Sequence, residues 1–112
     1  MTGKTLILFT RFGMGDAPGP LQQKLATTFL TLLAQDSLPG ALAFYGEGVK
    51  LACDGSPVLD LLRRLAEKGV PLIICQTCLD FFDLRGAVRI GVVGGMGDIM
   101  AAMGQADKVI SV

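Results

Sequence analysis

The stretch Val70–Leu84, VPLIICQTCLDFFDL, decides the fold. It opens with a short, continuous apolar run and passes directly into residues with helical character. A run of this kind is what a strand buried on both faces requires, so Val70–Ile74 is read as a strand and Gln76–Leu84 as a short helix. The same alternation extends in both directions from here. Lys4–Thr10 (KTLILFT) is a first strand, followed by a Gly- and Pro-dense loop at Arg11–Pro20. Leu21, Leu25, Phe29, Leu32 and Leu33 recur at helical spacing over 21–34, closed by Pro39-Gly40. Ala41–Tyr45 is a second strand. Ser56 and Pro57 look like the cap and first residue of a helix that ends at Lys68-Gly69. Val88–Val93, Gly97–Met103 and Lys108–Val112 then read as strand, helix and strand.

The order βαβαβαβαβ predicts an α/β fold: three layers, α/β/α, with a parallel sheet of about five strands and right-handed crossovers. The length of 112 residues suits one domain over 1–112, with neither linker nor internal repeat. In such sheets ligands bind outside the carboxyl ends of the strands. That directs attention to four loops: 11–20, 46–50, 75–78 and 94–97.

Half the residues are hydrophobic (51%), 18% are charged, and Lys+Arg equals Asp+Glu at 10 each. A net charge of zero leaves no footprint for nucleic acid. Low charge with high apolar content favours a homo-oligomer. No apolar run approaches the ~20 residues that span a bilayer. Three cysteines, an odd count, do not suggest a secreted disulfide framework, so a cytoplasmic location is expected.

Two of those cysteines form the CxxC of Cys75-Gln76-Thr77-Cys78. Cys78 falls in the first turn of the expected helix, where unpaired N–H groups and the dipole stabilise a thiolate. Cys75 ends the strand and points either to the sheet edge or into the core. Two buried thiols without chemistry remain an alternative. A zinc site is disfavoured because the chain has no histidine and only Cys53 as a further thiol, so no metal is expected. A thioredoxin-type site is disfavoured because Pro71 is the last proline and the strands alternate with helices throughout. Gly13-Met14-Gly15 and Gly94-Gly95-Met96-Gly97 match neither dinucleotide nor P-loop patterns and read as tight turns, with a small-anion role for their amides left open.

The segments FYGEGVKL (44–51), GS (55–56), CQTCLD (75–80) and GGMGDI (94–99), with RFGMGD near the start, resemble the DsrE/DsrF-like sulfur-relay family. The subgroup they resemble is the C-terminal domain of YedF-type proteins, described as sulfurtransferase-like and linked by name to selenium metabolism. Gln76 replaces the usual glycine of that subgroup, and Gly95-Met96-Gly97 stands where Asn-Met-Tyr is usual. The SirA-like N-terminal domain of full YedF-type proteins is not among these residues, so either a stand-alone form or a fragment is expected.

The resemblance implies that Cys78 carries sulfane sulfur as a persulfide, with Cys75 as the subgroup's additional cysteine. Cys75 would either resolve that persulfide or guard Cys78 against over-oxidation. The implied partners are a SirA/TusA-like sulfur carrier and further copies of the chain; no cofactor is implied. Arg11, Gly13, Met14, Gly15, Asp16, Tyr45, Gly46, Gln76, Thr77, Gly95 and Met96 are the binding residues expected from loop position. A non-catalytic subunit of the same fold, binding a small anion or a partner, is the alternative.

Overall fold

The computed structural model describes residues 3–112, and the first two residues of the expected 1–112 unit lie outside the described residues. Its elements are β1 (Thr5–Phe9), α1 (Gly19–Asp36), β2 (Ala41–Phe44), a 3-10 helix (Gly46–Ala52), α2 (Leu59–Glu67), β3 (Leu72–Cys75), α3 (Gln76–Phe81), a second 3-10 turn (Arg85–Ala87), β4 (Val92–Gly94), α4 (Met96–Gln105) and β5 (Lys108–Ser111). The strands form one sheet in the order β4-β3-β2-β1-β5, and every pairing is parallel. The expected α/β architecture is therefore present.

The strand order explains how the layers are filled. Steps β1 to β2 to β3 to β4 run one way across the sheet, so right-handed crossovers put α1, α2 and α3 on one face. The return from β4 to β5 runs the other way and puts α4 on the opposite face. On the first face Phe9 stacks on Phe44 with ring centroids 5.4 Å apart and meets Phe29 of α1 edge-on at 6.3 Å. Phe9, Phe44, Leu30, Leu42, Leu62, Leu65 and Ile74 are fully buried, each contributing roughly 1.5–3 kcal/mol by leaving water.

Three boundaries depart from the sequence expectation. The strand expected at 88–93 begins only at Val92. Gly91 takes φ +90, which turns the chain, and Val88 instead bridges antiparallel to Cys53. Only glycine fits at Gly91, because a Cβ there would also crowd Leu72 and Ile74 at 3.0–3.1 Å. The helix expected from Pro57 begins at Leu59, since the Ser56 hydroxyl accepts the Val58 N–H (3.2 Å) and closes a local turn first. The helix expected to reach Leu84 stops at Phe81: Asp83 adopts φ 55, and the Leu84 N–H returns to the Leu79 carbonyl at 2.8 Å.

Candidate functional site

Parallel strands gather the ends of β1, β2, β3 and β4 at one edge, and the loops singled out in the sequence lie there. Cys75 is the last residue of β3 and the N-cap of α3. It is 1% exposed and belongs to the core, which settles its direction inward. Cys78 is the third residue of α3, half-buried and packed against that core. Gln76 and Thr77, between them, are exposed.

The sulfur of Cys78 accepts a hydrogen bond from the Gly46 backbone N–H at 3.0 Å. Gly46 opens the 3-10 helix that follows β2 and takes φ +60, a conformation that costs a side-chain-bearing residue roughly 1–2 kcal/mol. Two residues on, Gly48 lies against the backbone of β1, and the Gly48 N–H is held by the Tyr45 carbonyl at 3.0 Å. The Tyr45 N–H in turn donates to the Phe9 carbonyl at 3.1 Å. One amide is thereby aimed at the sulfur from a strand neighbouring β3. The residues read as a loop over 46–50, and the Gly-x-Gly spacing of Gly46 and Gly48 is the local signal that could have pointed to the tight packing.

The expectation that the helix start lowers the Cys78 pKa is not met. Burial pushes the thiol up, the Gly46 N–H pulls it back, and the neighbouring Cys75 thiol adds to the rise, for a net shift above the ordinary value. With six residues α3 supplies only a short dipole, which desolvation outweighs. Cys53 is also raised by burial, offset in part by Arg89, and its thiol is engaged with the Val49 carbonyl at 3.3 Å.

The remaining expected binding residues share the edge, but their recorded bonds go elsewhere. Arg11 pairs with Asp16 at 4.0 Å. The Met14 N–H donates to the Gln22 carbonyl (2.9 Å), and the Gln22 side chain donates to the Gly15 carbonyl (3.0 Å). Gly13, at φ +147, lies directly against Gln22, so this loop is pinned to the first turns of α1. The Gly95 N–H is taken by the Asp98 carboxylate at 2.8 Å, so that amide is already paired. Met96 is 44% exposed at the start of α4.

A cavity of about 290 Å³ lies at the opposite, amino edge of the sheet, lined by Thr5, Gly40, Pro71 and Gln105 among others, away from both cysteines of the CxxC. Among the described residues no group of three or more His, Cys, Asp or Glu could hold a metal ion. Nor is any described helix long and apolar enough to cross a membrane.

Solved structures share this fold. The YchN protein of E. coli superposes with a TM-score of 0.72 at 19% identity, covering 97% of this chain and 99% of that one. A protein of unknown function from Methanobacterium thermoautotrophicum, MTH1491, gives 0.63 at 15% identity, with 96% and 98% covered. A conserved protein of unknown function from Bacteroides thetaiotaomicron, BT1422, gives 0.64 at 14% identity, with 97% and 95% covered. No curated protein gives a significant match. The model of the DsrE/DsrF-like family matches residues 11–112, which takes in every element from α1 to β5 and both cysteines of the CxxC, and the chain belongs to that family.

Proposed function

We propose that this protein is a sulfurtransferase-like sulfur carrier that holds sulfane sulfur as a persulfide on Cys78. Its family is associated with sulfur relay. The observation that carries the reading is the half-buried Cys78 sulfur, set after β3 with the Gly46 N–H donating to it at 3.0 Å. A backbone donor at that distance suits the negative charge of a thiolate or persulfide anion.

Because burial pushes the Cys78 thiol pKa up, the entry step starts from the thiol and needs a place for its proton. Cys78 Sγ bonds to the outer sulfur of a donor persulfide, R–S–SH, and the donor's S–S bond breaks. The departing R–S⁻ takes the proton that Cys78 gives up, so no internal histidine is needed. Transfer to an acceptor thiol runs the same step in reverse.

The donor and acceptor are small SirA/TusA-like carriers in the cytoplasm, and the loops at Arg11–Asp16, Tyr45–Gly46 and Gly95–Met96 shape the approach. Exposed Val92, Met96 and Met100 on β4 and α4 support a homo-oligomer. The test is to incubate reduced protein with a low-molecular-weight persulfide and map the added sulfur by mass spectrometry. An adduct on Cys78, lost with transfer activity in Cys78→Ser, is expected. Undiminished transfer by Cys78→Ser would refute the reading. Absence of any Cys78 adduct would favour a non-catalytic assembly subunit that binds a small anion or a partner.

A further inference from the structure

We infer that Cys75 makes this site a persulfide-reducing centre: its buried thiol attacks Cys78 Sγ once that sulfur carries sulfane sulfur, closing a Cys75–Cys78 disulfide and expelling sulfide. The inference rests on the carrier reading and concerns the fate of cargo that no acceptor removes.

Reach comes first. Cys75 is the N-cap of α3 and Cys78 lies three positions on, across one turn. Side chains three apart on a helix have Cβ atoms about 5–6 Å apart, and a disulfide brings its Cβ atoms to about 3.5–4.5 Å, so an approach of about 1–2 Å at the cap closes the bond.

Direction comes second. Attack on the outer sulfur of a Cys78 persulfide would move the persulfide to Cys75, whereas attack on the inner sulfur forms a disulfide. Cys75 is 1% exposed among the core residues, while Cys78 is half-buried. A persulfide on Cys75 would force an extra sulfur atom into the packed core. The outer sulfur on Cys78 instead has the open side of the site available. Cys75 therefore meets the inner sulfur from within, with the leaving sulfur on the solvent side. The Gly46 N–H, 3.0 Å from that inner sulfur, draws electron density from it and favours attack there.

The step balances. Cys75 Sγ bonds to Cys78 Sγ, the bond from Cys78 Sγ to the outer sulfur breaks, and the outer sulfur leaves with the electron pair and the Cys75 proton. The sulfane sulfur is reduced to sulfide and the two thiols are oxidised to a disulfide. Repeated turnover requires a dithiol reductant to reopen that disulfide. Cys53, 2% exposed and bonded to the Val49 carbonyl, takes no part.

The experiment is a single turnover. Fully reduced protein, freed of reductant, receives glutathione persulfide, and released sulfide is trapped and counted against a protein-free control while intact mass and peptides are recorded. The wild-type chain should release one sulfide per chain and lose two hydrogens in mass, with a Cys75–Cys78 linked peptide. Cys75→Ser should instead keep the added sulfur on Cys78, with sulfide release reduced at least about tenfold. Cys75→Ala repeats the test without a buried hydroxyl, and thermal melts verify folding. A wild-type chain that keeps its sulfur adduct and forms no linked peptide overturns this inference while leaving the carrier reading standing. Unchanged sulfide release by the Cys75 variants also overturns it. No adduct on Cys78 in any of these proteins overturns the carrier reading itself.

Discussion

Replacing Gly48 with alanine tests whether the 3-10 helix is what aims an amide at Cys78. Gly48 does not need its glycine for backbone conformation; it needs it for proximity. A Cβ built there would sit 2.6 Å from the Phe9 carbonyl carbon, closer still to its oxygen, and 3.1 Å from the Thr10 nitrogen. These are backbone atoms of and beside the interior strand β1, paired on both sides, and cannot turn away as a side chain would. Relief must come from the 3-10 helix, which has to retreat by about 1 Å to restore carbon–carbon contacts near 3.5 Å. Overpacking of this kind costs about 1–3 kcal/mol, and a chain of this size loses roughly 4 °C in Tm per kcal/mol, so a fall of about 4–12 °C is expected.

The same retreat stretches the Gly46 N–H···Sγ bond from 3.0 Å to about 4 Å, beyond useful hydrogen bonding. The assay is a melt combined with an NMR titration of the Gly46 amide. In the native chain that amide shift should follow Cys78 ionisation, and in Gly48→Ala the response should be lost. Gly104→Ala serves as the control: its Cβ meets nothing within 4 Å, and the helical position should gain about 0.5–1 kcal/mol. A Gly48→Ala chain that melts with the wild type, or keeps the amide response, would show that the contact does not hold the donor in place.

Three further outcomes follow from the same geometry. Alkylation of Cys78 by iodoacetamide should show a midpoint above the ordinary thiol value of ~8.5, since desolvation outweighs the single backbone donor; a midpoint below it refutes the electrostatic account. Because folding raises the Cys78 and Cys53 pKa values, the unfolded chain gives up these protons first, so stability is full below the unfolded pKa and falls as pH rises towards the folded values. Chemical denaturation between pH 8 and pH 10 checks this, and Cys53→Ala should flatten the decline. Phe9→Ala, at a fully buried residue between Phe29 and Phe44, should cost about 3–5 kcal/mol in the same assay, and a loss under about 1 kcal/mol would contradict the packing described.

What the residues disclosed in advance depended on how local the cause was. TLILF, ALAF and LIIC are continuous apolar runs, and a strand buried on both faces leaves no other pattern, so β1, β2 and β3 were legible within two residues. VRI at 88–90 carries the same local signal, yet it is drawn out of the sheet by the turn at Gly91 and by the bridge from Val88 to Cys53, 35 positions earlier. Local propensity cannot register that competition.

The site divides along the same line. That Cys78 follows a strand and lies in the first turn of a helix is a local fact, legible in the residues around it. The sign of its pKa shift is not local, because it depends on the wall built around the sulfur by the 3-10 helix and the core. A helix start offers Cys78 only the donors within its own turn. The donor recorded on the sulfur belongs to Gly46, 32 positions earlier in the chain.

Gly46 and Gly48 were the one trace of this arrangement, and they answer to different demands. Gly46 is glycine because its φ of +60 turns its N–H toward the sulfur, and Gly48 because it lies on the β1 backbone. A substitution at Gly46 should therefore strain the turn's left-handed φ and press on the Thr10 carbonyl oxygen at 3.0 Å, whereas one at Gly48 drives a Cβ into the Phe9 carbonyl and should lose the donor. Comparing Gly46→Ala with Gly48→Ala separates the two. If both cost the same stability and leave the Gly46 amide equally responsive to Cys78, the spacing of the pair has no bearing on the sulfur.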